Sequence, residues 1–229
     1  MYKRQDMWIW RDWVISSFME NKPYDQFTLE QIAGDLIPKS TTQQKVATGF
    51  LRNSMNTHEG GTIGEEYRVT YTADKVDTVS TVFMGLTMKC AQCHDHKYDP
   101  IDHLDYYKFR AIFEPYHVRV DAMPGELDLA KNGINRVYAG NLGATTYLHE
   151  RGDESKVDKN RKISAAPPAF LASGWEPPKP VELPLEAWRP DMQKFVQNGY
   201  LSQKLARVAD AEVQLKKLKL DKAAQERKR

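Results

Sequence analysis

Only two cysteines occur in the 229 residues. They stand three positions apart, with a histidine directly after the second: Cys90-Ala91-Gln92-Cys93-His94. This spacing limits what can hold the chain together. A secreted scaffold stapled by disulfides needs more cysteines at wider separations, so stability must come from an apolar core. Hydrophobic residues make up 41% of the chain, and the mean hydropathy is −0.65. Both values imply that part of the chain is extended or solvated. Five tryptophans and eleven tyrosines are not the composition of a disordered chain, so a packed core is expected beside that solvated part.

The first 116 residues read as helical. Trp10, Trp13, Val14, Ser17 and Phe18 recur at helical spacing, and Asn21 to Pro23 ends that helix. Thr28 with Gln31, flanked by Phe27 and Ile32, has the form of a capping box with a hydrophobic staple; Thr41 with Gln44 repeats the box. Gly60, Gly61 and Gly64 mark a loop. From Glu65 a long helix is expected, with Val69, Ala73, Val76, Val79, Phe83 and Leu86 on one stripe and an acidic first turn. Asp102 to Phe113 reads as a shorter helix. In so small a core the first and the long helix are expected to pack against each other near the cysteines.

Past Pro115 the helical period fades. Short extended pieces are expected at Tyr116–Val120, Arg136–Tyr138 and Thr145–His149, and the prolines from 167 to 184 read as turns or polyproline-like connector. Helix returns from Leu185, where Leu201, Leu205, Val208, Leu215 and Leu218 form a heptad-like seam. The expected fold is therefore mainly α. It has a helical domain over 1–116, an irregular, partly extended Pro/Gly-rich connector over 117–185, and a charged helical tail over 186–229 that offers a surface to a helical partner.

Charge and hydropathy exclude some partners. With 33 basic and 31 acidic residues the net charge is +2, which provides no strong attraction to nucleic acid. No apolar run approaches the ~20 residues of a membrane helix.

C-x-x-C-H is the pattern of covalent haem c attachment. Two thiols one helical turn apart can each add across one vinyl group, and the adjacent His94 then presents its imidazole to the iron. Other chemistries suit the same residues. A zinc site could use Cys90, Cys93 and two of His94, His96 and His103. The cysteines could form a redox dithiol, although the strand and crossover helix of thioredoxin-like proteins are missing. They could also be simply buried.

Further stretches go with the motif: Trp10-Arg11-Asp12-Trp13-Val14-Ile15, Pro23-Tyr24-Asp25-Gln26-Phe27-Thr28, Gln31-Ile32-Ala33-Gly34-Asp35-Leu36, Ala47-Thr48-Gly49-Phe50, Glu65-Glu66-Tyr67-Arg68-Val69 and Gly85-Leu86-Thr87. The longest runs through the cysteines, Cys90-Ala91-Gln92-Cys93-His94-Asp95-His96-Lys97-Tyr98-Asp99-Pro100-Ile101. Together they resemble the planctomycete-type cytochrome c-like family, large secreted bacterial proteins that pair a haem-motif domain with a domain of unknown function. Thr146-Tyr147 with Arg151-Gly152-Asp153 resembles the bridge toward that second domain. The resemblance implies a cytochrome c-like fold for the first part, haem c on Cys90, Cys93 and His94, and a periplasmic or extracellular location. Measured against the family, the chain looks like an internal piece truncated at its N-terminus.

The second axial ligand decides what a haem here would do. Met55 and His58, in the glycine loop, are the candidates for the distal position; Met84 and Met88 read as core fillers, and His103 and His117 as surface or turn histidines. His96 lies about 200° around a helix from His94, so a carboxylate or a haem propionate suits it better than iron. Lys97 and Arg68 are further propionate partners. Glu65, Glu66 and Asp99 read as helix-dipole and surface carboxylates. The expected function is one-electron transfer outside the cytoplasm. The alternatives are a haem component of an extracellular redox or polysaccharide-degrading enzyme, and a zinc or dithiol interaction module.

Overall fold

The computed structural model describes residues 7–54, 63–122, 133–140, 143–177 and 194–226. It is mainly α. Helices α1 (Trp8–Met19), α2 (Tyr24–Ala33), α3 (Thr42–Ala47) and α4 (Gly49–Arg52) precede α5 (Gly64–Val79), which runs into a π-helical turn at Ser80–Met84. Gly85 stops that turn in the left-handed conformation, at φ 66°, which glycine adopts without steric cost. A 3-10 turn, Met88–Gln92, carries Cys90, and α6 (His103–Arg110) follows. Strand β1 (Tyr116–Ala122) pairs antiparallel with β2 (Gly133–Ala139), and β3 (Thr146–His149) pairs with β4 (Val157–Ile163) across a register shift at Tyr147/Leu148. Helix α7 spans Lys194–Glu226.

Two apolar clusters hold these elements. The larger joins Val76 and Val79 of α5, Met88 and Ala91 beside Cys90, Tyr106, Tyr107 and Phe109 of α6, and Val137 of β2. Each buried aliphatic or methionine side chain there contributes roughly 1.5–3 kcal/mol. The smaller cluster is Trp13, Val46, Ala47 and Ile134. The long-helix stripe is borne out in part: Val69, Val76 and Val79 are buried and Phe83 and Leu86 pack on the larger cluster, but the α-helix ends at Val79 and Leu86 lies past Gly85, outside the helix. Helix α1, however, packs on α3 and β2 and not along α5. It reaches the larger cluster through rings, Trp10 on Phe50 and Phe50 on Phe83.

One of the two capping boxes forms. Thr41 Oγ1 accepts the Gln44 N–H and Gln44 Oε1 accepts the Thr41 N–H. The Thr28/Gln31 box does not form, because α2 starts four residues earlier, after Pro23. Thr28 is thereby inside the helix, its hydroxyl buried without a partner among the described residues, and Gln31 donates to the Phe27 carbonyl. The three expected extended pieces are strands β1, β2 and β3; β4, a run of mostly exposed polar residues, showed no alternation to read. Leu201, Leu205, Val208, Leu215 and Leu218 are all exposed along α7.

Candidate functional site

The cysteine motif sits on a shelf made by core packing. Met88 and Ala91 are fully buried in the larger cluster. They pin the 3-10 turn from beneath, so the residues between and after them face outward. Cys90 and Cys93 are both free thiols and both exposed. His94 is exposed too, and its Nδ1 lies 2.7 Å from the Asp95 carbonyl oxygen. A carbonyl only accepts, so Nδ1 carries the proton and, in the neutral ring, Nε2 keeps its lone pair.

The residues after the motif form a self-bonded loop. Asp95 Oδ1 accepts the His103 N–H at 2.8 Å, and the His96 N–H donates to the Ile101 carbonyl. The His96 ring is turned inward. Its Nδ1 accepts the Tyr98 and Asp99 N–H groups at 3.3 and 2.8 Å, and its Nε2 lies 3.3 Å from Thr87 Oγ1. His96 thus clamps the loop. Asp99 Oδ2 is 3.4 Å from that Nδ1, so the expected carboxylate neighbour is present, but the ring's strongest partners are backbone. Asp102 caps α6 by accepting the Asp105 N–H. His103, half-buried in the first turn of α6, places Nε2 3.0 Å from the Gln92 carbonyl, which Tyr107 Oη also reaches.

A cleft of about 620 Å³ opens beside the motif. One wall is Cys93 and His103; the other is the β3–β4 hairpin with Leu148, Arg151, Lys156 and Val157. Cys90 and His94 do not line it. Beneath the cleft runs a buried polar chain. The Tyr107 ring packs tilted against His149 and under the Arg110 guanidinium. Arg110 Nη1 is 3.4 Å from His149 Nδ1, and Arg110 Nε donates to Glu114 Oε2 at 3.1 Å. Glu114 also receives Arg68, which grips Glu65 through two further bonds. Burial, and next the Arg110 charge, push His149 down to about 4; burial pushes Tyr107 up to about 12.

The residues expected from sequence fare differently. Cys90, Cys93 and His94 are together and accessible. Met55 and His58 lie outside the described residues. Met88 is a core filler, as read; Met84 packs on the same cluster. Arg68 is held by two carboxylates and is not available to a propionate, and Lys97 sits over the Tyr98 ring. Among the described residues, no group of three His, Cys, Asp or Glu side chains is placed to hold a metal ion by itself. Sequence reading passed over Arg110, Glu114 and His149, since nothing local marks a charged residue that will be buried.

The family model described as PSCyt2, a protein of unknown function (DUF1549), matches residues 1–118. No curated protein and no solved structure matches the chain.

Proposed function

The chain belongs to the PSCyt2 family, and from that membership together with the geometry of the motif we propose that it binds one haem c covalently and passes single electrons outside the cytoplasm, with residues 1–116 as a cytochrome c-like helical domain. The carrying observation is at His94. Its Nδ1 is committed to the Asp95 carbonyl, which leaves Nε2 as a lone-pair donor directed away from that bond. Metal-bound histidines characteristically have the other ring nitrogen fixed in this way.

The donor set fits the group. Both cysteines are free of a disulfide and exposed, as addition to two vinyl groups requires. Each sulfur bonds one vinyl carbon and the thiol hydrogen goes to the other, so no electron acceptor is consumed. A zinc reading finds less support: His96 and His103 are each turned to backbone partners, and among the described residues no three His, Cys, Asp or Glu side chains group to hold a metal. A bound haem supplies a one-electron centre whose behaviour follows its axial ligands. Within the chain, Cys90 and Cys93 tether, His94 ligates, and the Asp95 carbonyl holds the ring's tautomer. Met55 or His58 is proposed for the distal position.

The test is maturation of the chain in a host with a c-type haem attachment system. A Soret band that survives acid–acetone extraction is expected. Cys90→Ala/Cys93→Ala should abolish it, and His94→Ala should keep the attachment but change the spin state. Wild-type protein from which all haem extracts sinks the proposal.

A further inference from the structure

Arg52, at the end of α4, and Lys75, in the middle of α5, are each 4% exposed. Among the described residues neither forms an ion pair. Arg110, which is also buried, has Glu114 as its counterion. We propose that the cavity at Lys75 binds one small monovalent anion, a halide such as chloride, with the Lys75 ammonium as its ligand and the Arg52 guanidinium as the second positive charge beside it. The inference does not depend on what the thiols carry.

Hydrogen bonding leaves donors over on both side chains. An ammonium has three N–H donors, and Lys75 Nζ uses one, on the Tyr71 carbonyl at 3.1 Å. Arg52 Nη1 reaches the Ser54 carbonyl at 3.5 Å, the outer limit of such a bond. Its Nε is buried with no partner among the described residues.

Charge points the same way. Taking a cation out of water is costly unless an opposite charge accompanies it. Burial pushes Lys75 down to about 8; Asp74 opposes this and the Arg52 charge adds to it. Burial lowers Arg52 as well. Asp74 is not the missing counterion. It lines the cavity but pairs with neither cation among the described residues, and burial raises its own carboxyl. One anion at Lys75 offsets both buried charges at once.

The size of the space sets the class of ligand. The cavity measures about 10 Å³, with Asn53, Ser54 and Thr78 beside Lys75 in its lining. That volume suits about one water-sized occupant. A sulfate, a phosphate or a molecule bearing a carboxylate does not enter it whole. A water enters and satisfies a donor, but it leaves both charges uncompensated. A halide matches the space and the charge together.

The test uses thermal melts of the full chain in sodium chloride and in sodium gluconate at matched ionic strength, since gluconate is too large for the cavity. Chloride should raise the midpoint by about 2–4 °C over gluconate and then saturate, the shift given by one site filled several-fold above its Kd. Lys75→Met keeps most of the stem and removes the charge, so it should abolish the difference. Lys159→Gln, on exposed β4, should keep it. No saturating difference in wild type, or an undiminished one in Lys75→Met, overturns the proposal. Should Lys75→Met not fold, wild-type crystals grown in sodium bromide decide: an anomalous peak in contact with Lys75 Nζ supports the site, and no peak there overturns it.

Discussion

Arg110 aims its Nη1 at Nδ1 of His149 from 3.4 Å, with both side chains sealed from solvent. A guanidinium only donates, so this His149 nitrogen is an unprotonated acceptor. Burial and the neighbouring cation hold its pKa near 4, against an ordinary 6.5. Between those values the unfolded chain takes up a proton and the folded chain does not. The stability contributed is therefore complete above pH 6.5 and is lost as pH falls toward 4, by on the order of 1–3 kcal/mol. Asp35 works against this. Its burial raises its carboxyl from 3.8 to about 6, so the folded chain holds a proton that the unfolded chain releases, and stability falls as pH rises from about 4 to about 6. In urea titrations between pH 7.5 and 4.5, His149→Gln should lose less stability on acidification than wild type, and Asp35→Asn should lose more. Parallel curves for wild type and His149→Gln would remove His149 from this account.

Glu114 joins two guanidiniums in the interior, Arg110 from its own turn and Arg68 from α5. Glu114→Gln leaves the buried Arg110 charge without its counterion and should cost about 3–5 kcal/mol. Arg68 is partly exposed, with 38% of its side chain in solvent, so Arg68→Ala should cost less. Chemical denaturation of both variants orders them; an equal or reversed order would mean that the Glu114–Arg110 pair does not carry the network.

The two threonines that resemble each other in sequence should respond differently. Thr41→Ala removes a working cap and should destabilise by about 1 kcal/mol. Thr28→Val replaces a buried hydroxyl that has no partner among the described residues and should be neutral or stabilising, since an unsatisfied buried hydroxyl is itself a cost. Thermal melts of the two single variants decide the matter, and a destabilised Thr28→Val would show that its hydroxyl is bonded.

Met88 is fully buried directly ahead of the thiols. Met88→Ala should cost about 2–5 kcal/mol by opening a cavity, while Met88→Leu should stay within about 1.5 kcal/mol. The readout specific to the site is thiol labelling: loosening the shelf should raise the labelling rate of Cys90 in Met88→Ala and leave it near wild type in Met88→Leu. Equal rates in all three proteins would mean that core packing does not set the exposure of the thiol.

Local chemistry decided much of this protein. The C-x-x-C-H spacing, the α5 stripe from Val69 to Val79, the Thr41/Gln44 cap and the three strand positions up to His149 are properties of short segments. Their physical causes, helical periodicity and hydrogen bonds between near neighbours, act within a few residues. Where two local signals competed, the sequence alone did not arbitrate. Pro23, favoured at a helix start for its fixed φ, began α2 ahead of the Thr28 box, which then had no free N–H groups to cap.

Tertiary structure decided the rest. That Arg110, Glu114 and His149 are interior depends on α5, α6 and β3 closing over them, because charges enter a core only when distant segments supply partners and cover. That Gly152 abuts Cys93, 59 positions away in the chain, follows from the hairpin and the segment after it folding back onto α6; in that segment the Ala166 N–H donates to the Lys108 carbonyl and the Ala169 N–H to Asp105. Sequence named the thiols and the imidazole; which wall faces Cys93 was settled by long-range contacts that leave no period or motif behind.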